Sequence, residues 1–163
     1  MNQTIEWMSL ICSQRHRLLI KLVMGNGYIG LIFQQFYLIP NYTALENVMF
    51  PMQINQIHDE KEKANSILSD VGLAHRKNNL PSELSGGEQQ RVAIARAISF
   101  NPEIILADEP TGNLDRKNTE LVSDLLLNYS YKKKISLILV THNMNLAKKC
   151  DRVIKLFDGR IEV

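Results

Sequence analysis

The sequence contains little cysteine and no long apolar run. Its 163 residues include only Cys12 and Cys150, which are far apart and form no C-x-x-C pair. This usage suits free thiols in a reducing compartment better than a disulfide framework. No apolar run approaches the ~20 residues that a membrane-spanning helix needs, and the N-terminus lacks the features of a secretory signal. These absences predict a cytoplasmic chain that does not itself cross a membrane.

A broad basic surface is also missing. The 19 Lys and Arg residues are interspersed with 17 Asp and Glu residues, which gives a formal net charge of +2. No nucleic-acid partner is therefore expected. The length and the 45% content of hydrophobic residues are typical of one globular domain with its own core.

A phosphate-binding loop of the form G-x-x-x-x-G-K-[ST] does not occur anywhere in the sequence. Gly25, Gly27 and Gly30 have the G-x-G-x-x-G spacing of a dinucleotide fingerprint. However, residues of strand type follow Gly30, whereas that fingerprint requires the N-terminus of a helix to hold the pyrophosphate. We interpret residues Ile29–Phe33 as a strand instead.

The stretch at residues 84–91 (LSGGEQQR) has the composition of an anion site. A small hydroxyl followed by two glycines lets backbone N–H groups approach a phosphate closely. The residues that follow favour a helix, whose positive dipole end would point at the same anion. For Ser-Gly-Gly alone, an ordinary serine-capped helix after a glycine turn is the alternative.

Charged and polar side chains follow two apolar segments. Residues 104–107 are continuously apolar, as expected of a parallel strand covered on both faces, and Asp108 and Glu109 come directly after them. Residues 135–140 are a second buried-strand candidate that would deliver His142 to the same sheet edge, where α/β proteins place their sites. Adjacent acids at an ordinary strand end and a structural histidine are the alternatives.

Five motifs occur in the order found in ABC-type ATPases, and the sequence resembles the ATP-binding domain of that family. The resemblance rests on residues 33–36 (FQQF, Q-loop), 84–91 (LSGGEQQR, signature), 104–110 (IILADEP, Walker B), 111–115 (TGNLD, D-loop) and 141–143 (THN, switch histidine). Residues 36–40 and 43–48 extend it to ATPases of lipoprotein-releasing and macrolide-export transporters.

The resemblance implies an α/β fold, namely an incomplete P-loop NTPase domain with a helical signature subdomain. It divides residues 1–163 into a remnant leading to the Q-loop strand (1–33), a Q-loop and helical part (34–100) and a core with the Walker B, D-loop and switch motifs (101–163). It further implies ATP and Mg²⁺ as ligands, and a transmembrane permease and a homodimer mate or second ATPase domain as partners. The chain would lie on the inner face of the cytoplasmic membrane.

The resemblance also assigns roles to individual residues. Those implied to act in catalysis are Glu109, which would polarise the attacking water, His142, which would donate to the γ-phosphate, and Gln34. Asp108 and Gln34 are implied to hold Mg²⁺. Contacts to ATP are implied for Ser85, Gly86, Gly87, Glu88 and Asp115, and Asp115 could also cap the helix that follows it.

The family carries its phosphate loop N-terminal to the Q-loop, so we expect a truncated chain that is inactive alone. An unpaired sheet edge and exposed apolar surface are expected for the same reason. A non-enzymatic remnant or pseudogene product is the first alternative. A DNA-repair or translation ATPase is the second, although the long insertions usual in such proteins are missing.

Three further elements are predicted from local patterns. Asp59 and Glu62 have capping-box spacing before a helix that Gly72 would terminate, with an apolar face at Ala64, Ile67, Leu68 and Val71. A second helix after Asp115 would have an apolar face at Leu121, Val122, Leu125, Leu126 and Tyr129. Residues 152–163 are predicted to form a closing β-hairpin.

Overall fold

The computed structural model describes residues 29–157 and 160–162. Most of the predicted N-terminal remnant, including Gly25 and Gly27, lies outside these residues. The strands are β1 (Ile29–Phe33), β2 (Ile104–Asp108), β3 (Ser136–Val140), β4 (Lys155–Phe157) and β5 (Arg160–Glu162). The α-helices are α1 (Ala44–Ile54), α2 (Glu60–Asp70), α3 (Gly86–Ile98), α4 (Arg116–Lys133) and α5 (Met144–Ala147), with short 3₁₀ turns at Ala74–Arg76 and Pro81–Glu83.

The first three strands form a parallel sheet in the order β1-β2-β3. Their register places Phe33, Asp108 and Val140 at the same level. The carboxyl ends of all three strands therefore meet at one edge. The predicted strand Ile29–Phe33 and the predicted positions of the other two strands are confirmed.

Helix α3 is buried on two sides and belongs to both hydrophobic clusters of the described chain. Val92 and Ala95 pack with α1 and α2, whereas Ile94 and Ile98 pack against the sheet and α4. Close approach to β1 requires Gly30, since a Cβ there would lie 2.5 Å from the carbonyl oxygen of Ala97. Gly30 thus serves helix–strand packing, and its strand position agrees with the rejection of a dinucleotide fingerprint.

The sheet is covered less completely than the sequence predicts, within the part of the chain described. In the central strand β2, Ile105 and Ala107 are buried, whereas Ile104 and Leu106 are only partly buried. The predicted burial of residues 135–140 is wrong for one face of β3. Leu137 and Leu139 of β3 face the cluster formed with α3 and α4, but Ile138 and Val140 on the opposite face are 55% and 42% exposed. The continuous apolar run of β3 therefore does not reflect burial on both sides within residues 29–157, and β2 is fully buried on one side only.

Helix α1 was not predicted from the sequence, although its start carries a clear signal. A capping box forms between Thr43 and Glu46, in which the Glu46 N–H donates to Thr43 Oγ1 (3.2 Å) and the Thr43 N–H donates to Glu46 Oε2 (2.7 Å). Asn47 is fully buried, and its side chain accepts from the Ile39 N–H and donates to the carbonyls of Ile39 and Tyr42. It therefore holds the loop that precedes α1.

The predicted cap of α2 is wrong, because Asp59 has a left-handed backbone (φ 60°) and its side chain makes no capping hydrogen bond. The predicted apolar face and the terminating glycine are confirmed: Ala64 and Leu68 are buried, and Gly72 adopts φ 73° directly after the C-cap. The positive φ explains why a glycine stands there.

The predicted cap of α4 is confirmed, but Leu121 does not belong to its buried face. Val122 and Leu126 are almost fully buried, whereas Leu121 is 41% exposed. Strands β4 and β5 pair antiparallel, which confirms the closing hairpin; its turn at residues 158–159 lies outside the described residues. None of the helices in the two described ranges is both long and apolar enough to cross a bilayer.

Candidate functional site

The predicted site residues of the sheet lie at its carboxyl edge, as the sequence indicated. Because Phe33, Asp108 and Val140 are level, Gln34, Glu109 and Thr141 each follow a neighbouring strand at the same height. His142 comes one residue later. This arrangement brings residues that are more than a hundred positions apart into one small region.

Glu109 is held in a sparsely populated backbone conformation with φ 44°. Its N–H donates to the carbonyl of Val140 (2.9 Å), so the turn after β2 remains tied to β3. A non-glycine residue in this region costs on the order of 1 kcal/mol or more, and such residues cluster at functional sites. The conformation directs the Glu109 side chain to the chain that follows β3.

Glu109 and His142 form one hydrogen-bonded unit. Glu109 Oε1 accepts from the backbone N–H of His142 (2.8 Å) and lies 2.8 Å from His142 Nδ1, while Thr141 Oγ1 donates to Oε2 (3.4 Å). A carboxylate can only accept, so the proton of a neutral His142 ring is on Nδ1 in this geometry. Nε2 is then an acceptor, and the 80% exposed ring can donate to a second group only if it is protonated or leaves Glu109.

Asp108 is half-buried at the end of β2, and its carboxylate has no hydrogen-bond or ion-pair partner within the part of the chain that the structure describes. Burial, reinforced by the charge of Glu109, raises the pKa of Asp108. A nearby cation would offset both effects. The side chain thus has two oxygen acceptors available for a ligand.

The donor set fits Mg²⁺ bound together with a nucleotide rather than an all-protein metal cage. Residues 29–157 and 160–162 contain no group of three or more His, Cys, Asp or Glu placed to hold a metal ion. Mg²⁺ in nucleotide sites is usually bound through one or two carboxylates, with phosphates and water completing an octahedral shell. Asp108 meets this requirement as the single carboxylate.

Gln34 contacts the loop that follows β2. Its Nε2 donates to Asn113 Oδ1 (3.1 Å), and Asn113 Nδ2 donates back to the Gln34 carbonyl (3.3 Å). A Cβ on Gly112 would lie 2.8 Å from the same Nε2, so the glycine leaves room for the amide. Gln34 Oε1 accepts no hydrogen bond from a described residue and is the atom left for water or a metal.

The start of α3 is closed by a complete capping box between Ser85 and Glu88. Glu88 Oε2 accepts from the Ser85 N–H (2.8 Å) and from Ser85 Oγ (2.9 Å), while Oε1 pairs with Arg76 Nε (3.1 Å). The Ser85 N–H is the main cause of the lowered pKa of Glu88. Both oxygens of Glu88 are therefore engaged within the chain. The N–H groups of Gly86 and Gly87 point from the first turn and have no acceptor among the residues described.

Asn118 connects α3 with the loop after β2. A Cβ on Gly87 would overlap the Asn118 side chain, so α3 and α4 pack this closely only because residue 87 is glycine. Asp115 caps α4 by accepting from the Asn118 N–H (2.8 Å) and from Asn118 Nδ2 (2.8 Å). These bonds lower the pKa of Asp115.

The predicted residues thus form two groups. Glu109 and His142 bond directly, with Asp108 and Gln34 at the same edge. The other predicted residues lie around the starts of α3 and α4, namely Ser85, Gly86, Gly87, Glu88 and Asp115. No hydrogen bond within the described ranges joins Ser85 or Glu88 to Glu109 or His142.

Sequence reasoning missed three residues that hold these groups in place. Asn113 bonds Gln34, Asn118 bonds Asp115, and Arg96 of α3 bonds the loop after Gln34. The sequence signal for Arg96 was a single basic residue inside the otherwise apolar stretch 92–98. Asn113 and Asn118 carried no comparable signal.

Comparisons with known proteins agree with this arrangement. A family profile described as ABC transporter matches residues 14–112. The lipoprotein-releasing system ATP-binding protein LolD of Treponema denticola is 52% identical over 139 residues, which cover 84% of this chain and 62% of that protein. The LolD protein of Geobacter metallireducens is 49% identical over 138 residues, covering 83% and 61%.

Solved structures of the ATP-binding cassette MJ0796 have the same fold. One is a dimer in a post-hydrolysis state bound to ADP and Pi, with a TM-score of 0.74 and 42% identity over 83% of this chain and 61% of that one. A second dimeric structure of MJ0796, a bacterial ABC transporter cassette, gives a TM-score of 0.75 and 43% identity with the same coverage. The chain thus spans about three fifths of the length of the relatives it matches.

Proposed function

The chain belongs to the ABC transporter family, and from this we propose that it acts as the ATP-binding subunit of an ABC transporter of the lipoprotein-releasing type. The observation that carries the proposal is the unit at the sheet edge, in which Glu109 bonds His142 and stands directly after the half-buried Asp108. Relatives named for ATP binding and a fold neighbour bound to ADP and Pi support the choice of nucleotide.

In this proposal the sheet-edge group carries out ATP hydrolysis. Glu109 orients and polarises the attacking water, and His142 holds the Glu109 carboxylate until the nucleotide is bound. Asp108 and the free oxygen of Gln34 would hold Mg²⁺, whose charge would offset that of the nucleotide phosphates. Release of His142 Nδ1–H from Glu109 would make this donor available to the γ-phosphate.

Ser85, Gly86 and Gly87 serve a second nucleotide in the proposal. The free N–H groups of Gly86 and Gly87, the Ser85 side chain and the positive end of α3 would contact the γ-phosphate bound by another ATPase domain, either a second copy of this chain or a different subunit. The dimeric cassettes among the structural neighbours support this arrangement. We assign Glu88 and Asp115 to shaping the two helix starts, since their oxygens are occupied internally.

The proposal also assigns a role to each of the two larger parts of the chain. Residues 34–100 would form the helical part that meets a transmembrane permease, and residues 101–163 would form the core with the hydrolytic residues. Because α3 packs against both clusters, the two parts share one helix at their boundary. Contact with a permease would place the chain on the inner face of the cytoplasmic membrane.

The variant Glu109→Gln tests this function. The assay measures ATP turnover in the full chain assembled with an intact LolD-type ATPase domain and its permease, because the phosphate-loop motif is not among these 163 residues. Removal of a general base should lower kcat by about 10²- to 10⁴-fold in the sites that use Glu109, and should leave a stable nucleotide-bound dimer. The matched control is Glu103→Gln, an exposed acid just before β2, which should turn over ATP like the wild type.

The lack of a phosphate-loop motif in these 163 residues favours a second candidate function. The chain could contribute only its Ser85 side to a site completed elsewhere, without hydrolysing ATP at Glu109. Unchanged turnover of the Glu109→Gln assembly, together with loss of turnover when the whole chain is left out, would establish that function and reject the first.

A further inference from the structure

Side chains from three different residues bind the main chain immediately before and after Gln34. The carbonyl of Phe33 accepts from Gln90 Nε2 (3.4 Å), and that of Gln34 accepts from Asn113 Nδ2 (3.3 Å). The carbonyls of Phe36 and Tyr37 both accept from the guanidinium of Arg96. This segment is therefore shaped by side chains rather than by a backbone ladder.

Arg96 makes the shortest of these contacts. Its Nη1 lies 2.5 Å from the carbonyl oxygen of Tyr37, and its Nη2 lies 2.9 Å from that of Phe36. Burial lowers the pKa of Arg96 to about 10, so the guanidinium stays charged at neutral pH. A buried charge is usually paired with an opposite one, yet no carboxylate in the described ranges lies within ion-pair distance of Arg96. The two carbonyl dipoles replace the counter-ion.

The bound segment has a conformation that it would rarely adopt by itself. Tyr37 has φ 45°, a left-handed backbone that is unusual for a bulky residue. Such strain persists only where surrounding groups over-determine the backbone. The Arg96 guanidinium on the carbonyl of Tyr37 is one such group, and the edge-to-face contact between the rings of Phe33 and Tyr37 (5.4 Å) is another.

Arg96 also connects this loop to the start of α3. It lies eleven residues after Ser85 on one continuous helix, or about 16 Å along the axis at 1.5 Å per residue. The interior of α3 is almost entirely buried between the two clusters, which favours movement of the helix as one unit.

We propose that Arg96 is a positioning residue that fixes the loop after Gln34 to α3, so that Gln34 and the Ser85 end of the helix move together. A planar guanidinium can donate to two successive carbonyls at once, which an ammonium group on a flexible stem does poorly. The functional consequence rests on the function proposed above: displacement of the loop would shift the contacts of Ser85 and Gly86 with a nucleotide, and the reverse would also hold.

The first test needs no nucleotide. Amide hydrogen exchange is measured in the full chain at Ile39 and Tyr42, whose N–H groups bond within or beside this loop. Arg96→Lys should accelerate exchange at both amides by at least about tenfold, because charge-assisted bonds are lost, and should leave the amides of β2 unchanged. Arg91→Lys is the matched control, since Arg91 lies on the same helix but donates to Asn118.

A chemical rescue separates positioning from simple filling of space. In Arg96→Ala, millimolar ethylguanidinium should restore the slow exchange of Ile39 and Tyr42, whereas ethylammonium at the same concentration should not. Unchanged exchange in Arg96→Lys, or equal rescue by both cations, would overturn the role of Arg96 whatever the protein does with ATP. Should Arg96→Ala fail to fold, the Arg96→Lys measurement still decides.

The coupling of Arg96 to ATP turnover is tested in the assembly used for Glu109→Gln. Arg96→Lys should lower kcat for ATP turnover several-fold while the KM for ATP stays the same, because the loop carries no phosphate cradle of its own. If Glu109→Gln abolishes turnover and Arg96→Lys leaves it unchanged, the coupling is wrong although the proposed function holds. If neither variant changes turnover, the proposed function fails, and the exchange result still stands on its own.

Discussion

Gly86 and Gly87 are neighbours in the sequence but meet different surroundings. A Cβ on Gly87 would overlap the side chain of Asn118, which also donates to Asp115, the N-cap of α4. A Cβ on Gly86 would come no closer than 3.7 Å to the ring of Phe36, an ordinary contact distance. Only Gly87 is therefore required by the packing of the chain itself, whereas Gly86 has room that a ligand could use.

Substitution of the two glycines by alanine should affect the stability of the chain to different extents. We expect Gly87→Ala to lower the free energy of unfolding by about 1–3 kcal/mol, since α3 and α4 must move apart or Asn118 must leave its partners. Gly86→Ala should change it by less than about 0.5 kcal/mol and serves as the control. Urea unfolding followed by circular dichroism checks both, and equal destabilisation of the two variants would contradict this assignment.

At the scale of a single helix, the start of α3 depends on a charge. Glu88 accepts from the Ser85 N–H and pairs with Arg76, and its pKa lies below the ordinary value, chiefly because of the Ser85 N–H. A carboxylate with a depressed pKa contributes stability that is present above its unfolded pKa of about 4.3. That contribution is lost as the pH falls through the lower, folded pKa.

Glu88→Gln should therefore matter more at neutral than at acid pH. Glutamine keeps the capping geometry but removes the charge, so we expect the variant to be about 1 kcal/mol less stable at pH 7. The difference should be smaller at pH 3 than at pH 7, because protonation of Glu88 in the wild type removes the charge that the variant lacks. Urea midpoints at both pH values measure it, with the exposed Glu120→Gln as control. A difference that is the same at pH 7 and pH 3 would count against the role of the charge.

The elements that could be predicted from the sequence are those whose signals are local or periodic. The strand Ile29–Phe33, the Asp115 cap and the terminating Gly72 all follow from residues within one turn or one strand. The prediction that Asp59 caps α2 failed although Asp59 and Glu62 have capping-box spacing. The backbone of Asp59 is left-handed, and its side chain makes no capping hydrogen bond to the helix. The residue types around Asp59 do not reveal that its backbone is left-handed.

The site itself was predictable in position but not in its contacts. Parallel strands place Asp108, Glu109 and His142 at one edge, which the order of apolar runs already indicated. The bonds of Gln34 to Asn113 and of Arg96 to two carbonyls depend on how loops fold back over many residues, and only the structure supplies this. Exposed apolar surface was expected from the sequence, but its location on one face of β3 was not, because residues 137–140 are all apolar and do not distinguish the two faces.

At the scale of the whole molecule, β3 presents opposite environments on its two faces. Leu139 packs into the cluster shared with α3 and α4, whereas Ile138 and Val140 are 55% and 42% exposed. An exposed apolar strand at the end of the three-stranded sheet is a surface on which copies of the chain can associate.

The double variant Ile138→Thr and Val140→Thr should reduce self-association without loss of stability. Threonine retains the β-branched shape that suits a strand, and the replaced side chains bury little area within the described chain, so the free energy of unfolding should change by less than about 1 kcal/mol. Light scattering over a range of protein concentrations should show less association than in the wild type. Leu139→Thr is the control on the same strand: it should destabilise the fold by about 1–3 kcal/mol, because a polar group would enter the cluster. Association that is unchanged in the double variant would show that another surface, such as the exposed hairpin residues Leu156 and Phe157, holds the copies together.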